Sequence, residues 1–219
     1  GQTVAFIGST GSGKSTLINL IPRFYDISSG EILIDGIDIQ DYRIDDLRNK
    51  IGFIPQKAML FTGTIAENLR YGKADATLEE LEHAAKVSQS YDFIMEKPNG
   101  FDEMITESAT NVSGGQRQRL SIARALIRKP EIYIFDDSFS ALDYKTDAIL
   151  RHALKEETQH SIVFIVAQRI STIKDADQII VLDEGQIVGH GKHKELLQTC
   201  PIYHEIALSQ LSEEELNYE

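Results

Sequence analysis

The sequence has little of several features that would identify whole classes of protein. Its one cysteine, Cys200, cannot form an internal disulfide, which fits a reducing compartment. The longest apolar runs, such as residues 161–167, are far shorter than the roughly 20 residues that cross a bilayer. No charged segment followed by an apolar one opens the chain, so we predict no signal peptide. Any membrane role is therefore expected to come through another segment or another chain.

Positive charge is also scarce. The chain has 22 lysines and arginines against 34 acidic residues, for a net charge of −12, a balance that repels nucleic acid and anionic lipid surfaces. The main basic cluster is predicted to be a solvated or phosphate-facing helical stripe, and its members are Arg117, Arg119, Arg124, Arg128 and Lys129. We therefore expect a soluble, cytosolic domain with no nucleic-acid partner.

Apolar runs and helical patterns alternate along the chain. The runs predict strands at residues 2–7, 31–34, 51–54, 132–135, 162–166 and 178–182, with a final hairpin strand between Gly185 and Gly189. Helical spacing is found at residues 14–24, 78–87 and 113–127, and a short helix is predicted at 193–197. Runs that are apolar on both faces are typical of a buried parallel sheet. The predicted fold class is α/β, with a mostly parallel sheet interrupted by a helical segment at about residues 64–127.

A glycine-rich loop joins the first predicted strand to the first helix. It fits the pattern G-x-x-x-x-G-K-[ST] of P-loop proteins, in which successive backbone N–H groups curl around phosphate oxygens. The predicted nucleotide-binding residues are Gly8, Ser9, Thr10, Gly11, Ser12, Gly13, Lys14, Ser15 and Thr16. Lys14 should reach the β- and γ-phosphates of ATP, and Ser15 should place its hydroxyl on Mg²⁺.

A second ligand for Mg²⁺ is predicted at the end of the strand at residues 132–135. Asp136 follows this strand directly, at the carboxyl edge where α/β sheets bind ligands. A carboxylate at this position holds Mg²⁺ in P-loop enzymes. Asp136 is therefore predicted to be the Walker B residue.

Further motifs follow in a fixed order. Residues 112–116 read V-S-G-G-Q just before the Walker B strand, Gln56 follows the strand at 51–54, and residues 140–143 read S-A-L-D. These resemble the signature sequence, the Q-loop glutamine and the D-loop of ABC transporter ATP-binding domains. Residues 60–69 and 106–107 are similar to the post-Q-loop segment and the X-loop of the exporters in that family.

The resemblance covers the whole chain and implies a partner for each motif. In the family, the signature contacts ATP bound to a second nucleotide-binding domain, and the D-loop crosses the interface between the two domains; the matching residues are Ser113, Gly114, Gly115, Gln116 and Asp143. The Q-loop glutamine, here Gln56, contacts Mg²⁺ and the attacking water and faces the transmembrane domain. The implied location is the cytoplasmic face of the cell membrane, through the transmembrane part of the transporter.

The resemblance also implies domain boundaries. We expect one nucleotide-binding domain over 1–219, with a RecA-like core at 1–63 and 128–211, an ABC-type helical subdomain carrying the signature at 64–127, and an acidic tail at 212–219. The family has further strands before the P-loop strand, and an aromatic residue there stacks on adenine. We therefore expect the chain to be truncated at its N-terminus.

Two residues depart from the family pattern at catalytic positions. Competent members have Glu after the Walker B aspartate and a switch histidine, where this chain has Asp137 and Gln168. An aspartate carboxylate is one methylene shorter, and a misplacement of about 1 Å can reduce a rate on the order of 10²-fold. Glutamine donates a hydrogen bond but cannot become cationic. The predicted catalytic set of Lys14, Gln56, Asp137 and Gln168 should therefore bind ATP while hydrolysing it weakly.

This pattern resembles the degenerate-site subunit of a heterodimeric ABC exporter, whose intact signature serves a non-identical partner. Two other functions stay open. A soluble ABC ATPase of nucleic-acid maintenance or translation is disfavoured by the acidic charge and by the lack of a long coiled coil between Lys14 and Asp136. A regulatory scaffold that only binds nucleotide is the other alternative. An importer subunit fits the post-Q-loop segment poorly.

Overall fold

A computed structural model describes residues 1–211 of the chain. Six strands form its main sheet in the order β10-β9-β1-β8-β7-β4, and two pairs of two-residue strands form small antiparallel sheets. The strands are β1 Thr3–Gly8, β2 Leu33–Ile34, β3 Ile37–Asp38, β4 Ile51–Ile54, β5 Gly63–Thr64, β6 Met104–Ile105, β7 Ile132–Asp136, β8 Ile162–Val166, β9 Gln178–Asp183 and β10 Gln186–Gly191. All neighbours in the main sheet are parallel except β9 and β10. The predicted α/β fold with a mostly parallel sheet is confirmed.

Helices connect and cover the strands. They are α1 Lys14–Leu20, α2 Ile44–Asn49, α3 Ile65–Arg70, α4 Leu78–Val87, α5 Tyr91–Met95, α6 Gly114–Ile127, α7 Tyr144–Glu157, α8 Ile170–Ile173, α9 His193–Thr199 and α10 Pro201–Leu208. Two short 3₁₀ turns lie at Gly100–Asp102 and Glu107–Ala109. Across residues 1–211, no helix combines the length and apolarity needed to cross a bilayer.

The main sheet separates two hydrophobic cores. Successive strand side chains point to opposite faces, so Ile132 and Ile134 of β7 belong to one core and Tyr133 and Phe135 to the other. Both faces of β7 are buried, as the continuous apolar run of a central parallel strand predicts. The strand therefore ends at a fixed place, which sets the position of Asp136.

The helical segment between β4 and β7 packs on the sheet through one continuous core. Leu81 of α4 and Leu120 of α6 share a core with Tyr133 and Phe135. Capping boxes start α3, α4 and α6, where a Thr or Ser side chain and a Glu or Gln three residues later satisfy each other's backbone N–H groups. The boundaries assigned at 63/64 and 127/128 stay predictions, and the acidic segment 212–219 lies outside the described residues.

Some predicted elements end elsewhere. The helix predicted to reach residue 24 ends at Leu20, because Pro22 has no N–H for a helical hydrogen bond and Arg23 turns out of the helical region with φ +52°. The predicted strand at 31–34 is a two-residue strand that pairs with β3 across a turn at Asp35. The last strand continues through Gly189, where a side chain would crowd the Cys200 sulfur.

Two members of the basic cluster on α6 are not solvated as predicted. Arg124 donates to the Asn68 carbonyl oxygen (2.9 Å) and the Met59 carbonyl oxygen (3.0 Å). Arg119 donates to the Gln89 carbonyl oxygen and lies over the Phe93 ring. The Asn68 carbonyl belongs to α3, and those of Met59 and Gln89 lie outside helices and strands, so these arginines hold the helical segment together.

Candidate nucleotide site

The loop between β1 and α1 is organised around Lys14. Its Nζ donates to the carbonyl oxygens of Gly8 (2.9 Å) and Ser9 (2.7 Å) and to the Ser12 hydroxyl (3.1 Å). These three bonds fold the loop around the positively charged Lys14 ammonium group. Lys14 and Ser12 are buried, whereas Thr10, Gly11, Ser15 and Thr16 are exposed along the loop's outer surface. A cation encircled by backbone and open on one side is suited to an anionic ligand.

Glycine is required at two positions of this loop. A Cβ atom at Gly8 would overlap the Leu182 carbonyl oxygen of β9, because β1 and β9 approach closely where β1 ends. Gly13 has φ +97° immediately before α1, a conformation that side chains disfavour. The first N–H groups of α1 have no partner within the helix and lie next to the loop. The local sequence thus accounts for the shape of the cradle.

Ser15 and Asp136 meet beside the cradle. The Ser15 hydroxyl donates to Asp136 Oδ1 at 2.8 Å, joining the start of α1 to the end of β7 across 121 residues of sequence. Both side chains present hard oxygen donors, the ligands that Mg²⁺ prefers. Within residues 1–211, no three His, Cys, Asp or Glu side chains converge on one point. Such a pair suits an ion that shares its ligands with phosphate, because it does not form a cage on its own.

Burial changes the acid–base properties of these groups. It lowers the pKa of Lys14, and the nearby Asp137 and Asp136 carboxylates oppose that shift. Burial likewise raises the pKa of Asp136, against the Ser15 hydrogen bond and the Lys14 charge. A cation and carboxylates that have been partly removed from water interact more strongly with a charged ligand than exposed groups would.

A second cluster forms one residue further along the chain. Asp137 Oδ2 accepts hydrogen bonds from Gln56 Nε2 and from Gln168 Nε2, each at 3.0 Å. Gln56 follows β4, Asp137 follows β7 and Gln168 follows β8, so three neighbouring strands each supply one member at the same sheet edge. The structure thus brings together three of the four predicted catalytic residues, with Lys14 close enough to influence the Asp137 pKa.

The Asp137 carboxylate is buried and its backbone is unusual. Asp137 has φ +47°, and its N–H donates to the Val166 carbonyl oxygen (2.9 Å). Burial raises the pKa of Asp137, while the hydrogen bond from Gln56 opposes that increase. The left-handed turn directs the carboxylate toward the two glutamines rather than along the strand.

Two polar residues that sequence analysis missed support Gln56. Ser138 Oγ donates to the Ile54 carbonyl oxygen (2.8 Å), and Gln118 Nε2 of α6 donates to the Pro55 carbonyl oxygen (3.0 Å). Both side chains are almost fully buried. A buried polar residue on the apolar face of a predicted helix was the available signal for Gln118. The backbone leading to Gln56 is therefore held by the turn after β7 and by the signature helix α6.

The signature and D-loop residues lie together in this chain. Ser113 caps α6, forming a capping box with Gln116, and Gly114 has open space around its Cα. A Cβ at Gly115 would lie 3.3 Å from the Ala141 carbonyl oxygen, so the start of α6 packs closely on the D-loop. Asp143 caps α7 through a bond from the Thr146 N–H (3.0 Å), and that bond lowers its pKa. Their contacts with a partner's nucleotide stay a prediction.

Other residues at this edge were also missed. Asp183 Oδ1 accepts from the Ser9 hydroxyl (3.3 Å), which ties the cradle to the end of β9. Arg169 donates weakly to the Ser140 carbonyl oxygen (3.4 Å) and lies over the Tyr144 ring. Gln210, after α10, bonds the backbone around Arg169. None belongs to a local motif, so only the folded chain reveals them.

Comparisons with known proteins agree with this geometry. A family model described as ABC transporter matches residues 1–140. An uncharacterized ABC transporter ATP-binding protein of Mycobacterium tuberculosis (strain H37Rv) is 48% identical over 213 residues, covering 96% of this chain and 36% of the relative. A putative multidrug export ATP-binding/permease protein of Staphylococcus aureus (strain NCTC 8325) is 49% identical over 197 residues, covering 90% of this chain and 34% of the relative.

A solved structure is similar throughout the chain. It is described as a bacterial Atm1-family ABC exporter with ATP bound, and it matches with a TM-score of 0.94 and 40% identity over 97% of this chain and 37% of that one. The predicted P-loop NTPase fold of the ABC type is confirmed by this match. The chain spans about a third of the length of the relatives described here.

Proposed function

Because this chain belongs to the ABC transporter family, we propose that it is the ATP-binding motor domain of an ABC exporter. The observation that carries the proposal is the Ser15–Asp136 hydrogen bond of 2.8 Å beside the Lys14 cradle. It joins the two residues that the family uses for Mg²⁺ at the mouth of a loop shaped for phosphate. The similarity to a putative multidrug exporter and to an Atm1-family exporter supports export rather than nucleic-acid maintenance or translation.

ATP binding requires little change of the cradle. Lys14 exchanges its bonds with the Gly8 and Ser9 carbonyls for bonds with the β- and γ-phosphates, and the N–H groups of the loop and α1 face the same anion. Ser15 and Asp136 are the residues that would hold Mg²⁺, with Gln56 nearby as a further candidate. Mg²⁺, when bound, neutralises charge on the phosphate oxygens.

We propose that hydrolysis at this cradle is weak. Asp137 occupies the position of the catalytic glutamate, and one of its two oxygens already accepts from both Gln56 and Gln168. Burial raises the Asp137 pKa, which makes the carboxylate a stronger base, so basicity is not what limits it. The limitation is reach, since the side chain is one methylene short and is directed toward the glutamines. Gln168 offers the γ-phosphate a neutral donor in place of a cation.

The intact signature then serves another subunit. Ser113 and Gly114 lie at the exposed start of α6, where free N–H groups can meet a phosphate. We propose that this helix end completes a competent ATP site on a second, non-identical nucleotide-binding domain that carries the catalytic Glu and His. Closure of the two domains would move a transmembrane domain at the cytoplasmic face of the membrane, while ATP in this chain's own cradle acts as a clamp.

The test compares ATP binding with ATP turnover. The purified chain should bind Mg-ATP but turn it over slowly, and Asp137→Glu combined with Gln168→His should increase turnover about 10²-fold, since both catalytic groups return. A matched control makes the same two chemical changes on the exposed surface, as Asp26→Glu with Gln40→His.

The comparison is repeated in a transporter whose partner site is inactivated, so that only this cradle can hydrolyse. Brisk turnover by the unmodified chain, or no gain from the restored pair, would contradict the degenerate-site proposal. Absence of ATP binding would contradict the motor proposal itself.

A further inference from the structure

One contact from the C-terminal part of the chain reaches the nucleotide site without belonging to any motif. The side-chain amide of Gln210 bonds the backbone on both sides of Arg169. Gln210 Nε2 donates to the Gln168 carbonyl oxygen (2.7 Å), and Gln210 Oε1 accepts from the Ile170 N–H (2.8 Å). A single amide thus pairs with two backbone groups in the way that a neighbouring strand would.

The backbone that carries Gln210 is itself well anchored. Tyr203 and Ala207 of α10 are fully buried, and Leu211 packs against the main core. The N–H groups of Gln210 and Leu211 both donate to the Ala207 carbonyl oxygen, at 3.0 and 2.8 Å. Gln210 is therefore a fixed point, although its side chain is exposed.

The segment that Gln210 holds needs an external partner. Arg169 is the N-cap residue of α8, and its side chain makes no capping hydrogen bond. The first N–H groups of a helix have no partner within the helix. Ile170 is fully buried, so an unpaired N–H there would be unfavourable, and Gln210 Oε1 supplies the missing acceptor. Gln210 thus replaces the local cap that α8 lacks.

The same segment carries the side chain that meets Asp137. Gln168 Nε2 donates to Asp137 Oδ2, and the carbonyl oxygen of Gln168 is one of the two groups bonded by Gln210. We propose that Gln210 is a positioning residue for the nucleotide site, which fixes the backbone of Gln168 so that its side-chain amide faces Asp137 and the γ-phosphate. The inference rests on the proposed role of Gln168, because Gln210 acts only through that residue.

The first experiment measures directly how firmly Gln210 holds the backbone around Arg169. It follows amide hydrogen exchange at Ile170 in the chain without nucleotide. Gln210→Met removes both hydrogen bonds and should accelerate exchange at Ile170 about tenfold. Gln210→Glu keeps the acceptor and should leave the Ile170 exchange rate close to that of the unmodified chain. Glu205→Met, on the exposed surface of α10, is the matched control, and the Asp137 N–H, bonded to Val166, is an internal reference. Unchanged exchange at Ile170 in Gln210→Met would overturn the proposal.

The second experiment tests whether the two Gln210 hydrogen bonds affect the contact between Gln168 and the γ-phosphate. Gln210→Met should weaken ATP binding by about threefold to tenfold while ADP binding changes by less than twofold, because only ATP reaches Gln168. Gln168→Ala should likewise weaken ATP binding more than ADP binding. The double variant should bind ATP and ADP about as well as the weaker of the two single variants. Equal losses for ATP and ADP, or fully additive effects, would indicate a merely structural role and overturn the proposal.

The two experiments separate this inference from the proposed function. If the unmodified chain binds no ATP, the proposed function fails, and the exchange rate at Ile170 still decides whether Gln210 holds the segment. If ATP binds and Gln210→Met leaves the preference for ATP over ADP unchanged, the proposed function stands and the positioning role fails.

Discussion

Asp136 and Asp137 are adjacent in the chain, yet they belong to two regions of the site with different backbone geometry and different hydrogen-bond partners. Asp136 ends β7 in extended backbone and accepts a 2.8 Å hydrogen bond from Ser15 beside the phosphate cradle. Asp137 turns away with φ +47° and accepts from two glutamines at 3.0 Å. The first region matches the family pattern predicted from the sequence, and the second contains the two predicted departures, Asp137 and Gln168.

The difference indicates that the contacts we assign to phosphate binding and those we assign to hydrolysis come largely from different segments at one sheet edge. The contacts of the cradle come from the loop after β1 and from α1, whereas the Asp137 cluster comes from the ends of β4, β7 and β8. Substitutions in the second set therefore need not disturb the contacts of Lys14, although loss of the Gln168 donor should weaken ATP binding about threefold to tenfold. A domain can lose the hydrolytic contacts and keep nucleotide-dependent closure, which is the behaviour we propose.

The largest effect is expected from the cradle, with Lys14→Ala. This change removes the charge at the centre of the loop and should weaken ATP binding on the order of 10²-fold, as expected for the loss of a charge-assisted hydrogen bond to phosphate. Fluorescent ATP titration measures the effect, and Lys155→Ala on the exposed face of α7 is the control. If Lys14→Ala bound ATP as tightly as the unmodified chain, the cradle would not be the ATP-binding region. The assignment of binding to the cradle and hydrolysis to the Asp137 cluster would then be wrong.

The next largest effect should lie outside this chain's own cradle. Ser113→Ala removes the hydroxyl at the start of α6, and in the assembled transporter it should lower turnover by about tenfold, because in our proposal the lost donor faces the partner's ATP. ATP binding by the isolated chain should not change. Thr77→Ala is a close control, since Thr77 forms the same capping box at α4 and its loss costs a similar amount of helix stability.

The two variants together decide between a motor and a scaffold. If transporter turnover fell equally with Ser113→Ala and Thr77→Ala, the effect would be one of stability. If turnover did not depend on Ser113 at all, the chain would be better described as a regulatory domain that only binds nucleotide.

Sequence alone predicted the phosphate cradle better than the Asp137 cluster. The loop residues from Gly8 to Ser15 are contiguous, and strand, turn and helix each carry a local pattern, so the cradle could be predicted from one window. The parallel sheet followed from strands that are apolar on both faces, such as Ile132–Asp136. The tiny strands β5 and β6 were missed because two residues carry no periodicity and their pairing depends on contacts about forty residues apart.

The supporting contacts of the second region depend on the folded chain. Gln210 and Gln168 are 42 residues apart, and Gln118 and Pro55 are 63 apart. The sequence around Gln210 or Gln118 contains no local pattern that specifies its hydrogen-bond partner. The resemblance to the family supplied Asp137 and Gln168 by position, but only the structure gives the hydrogen bonds between them.

The smallest effect should be a gain of stability from Asp137→Asn. Burial raises the Asp137 pKa in the folded chain, so the folded state binds this proton more tightly than the unfolded state does. The ionised carboxylate therefore destabilises the fold as pH rises through its folded pKa, and its contribution is most favourable below the unfolded pKa. A neutral amide of the same shape should raise the free energy of unfolding by about 1 kcal/mol at pH 7, and the gain should shrink toward pH 4.

Urea unfolding of the nucleotide-free chain at pH 7 and near pH 4 measures this gain. Asp147→Asn is the opposing control, because Asp147 is also buried but is paired with Arg151 at 3.2 Å, so its loss should destabilise the chain. A loss of stability in Asp137→Asn at pH 7 would mean that the two glutamines more than compensate the buried charge. The Asp137 cluster would then stabilise the fold, and it would differ from the cradle only in its role in ATP hydrolysis.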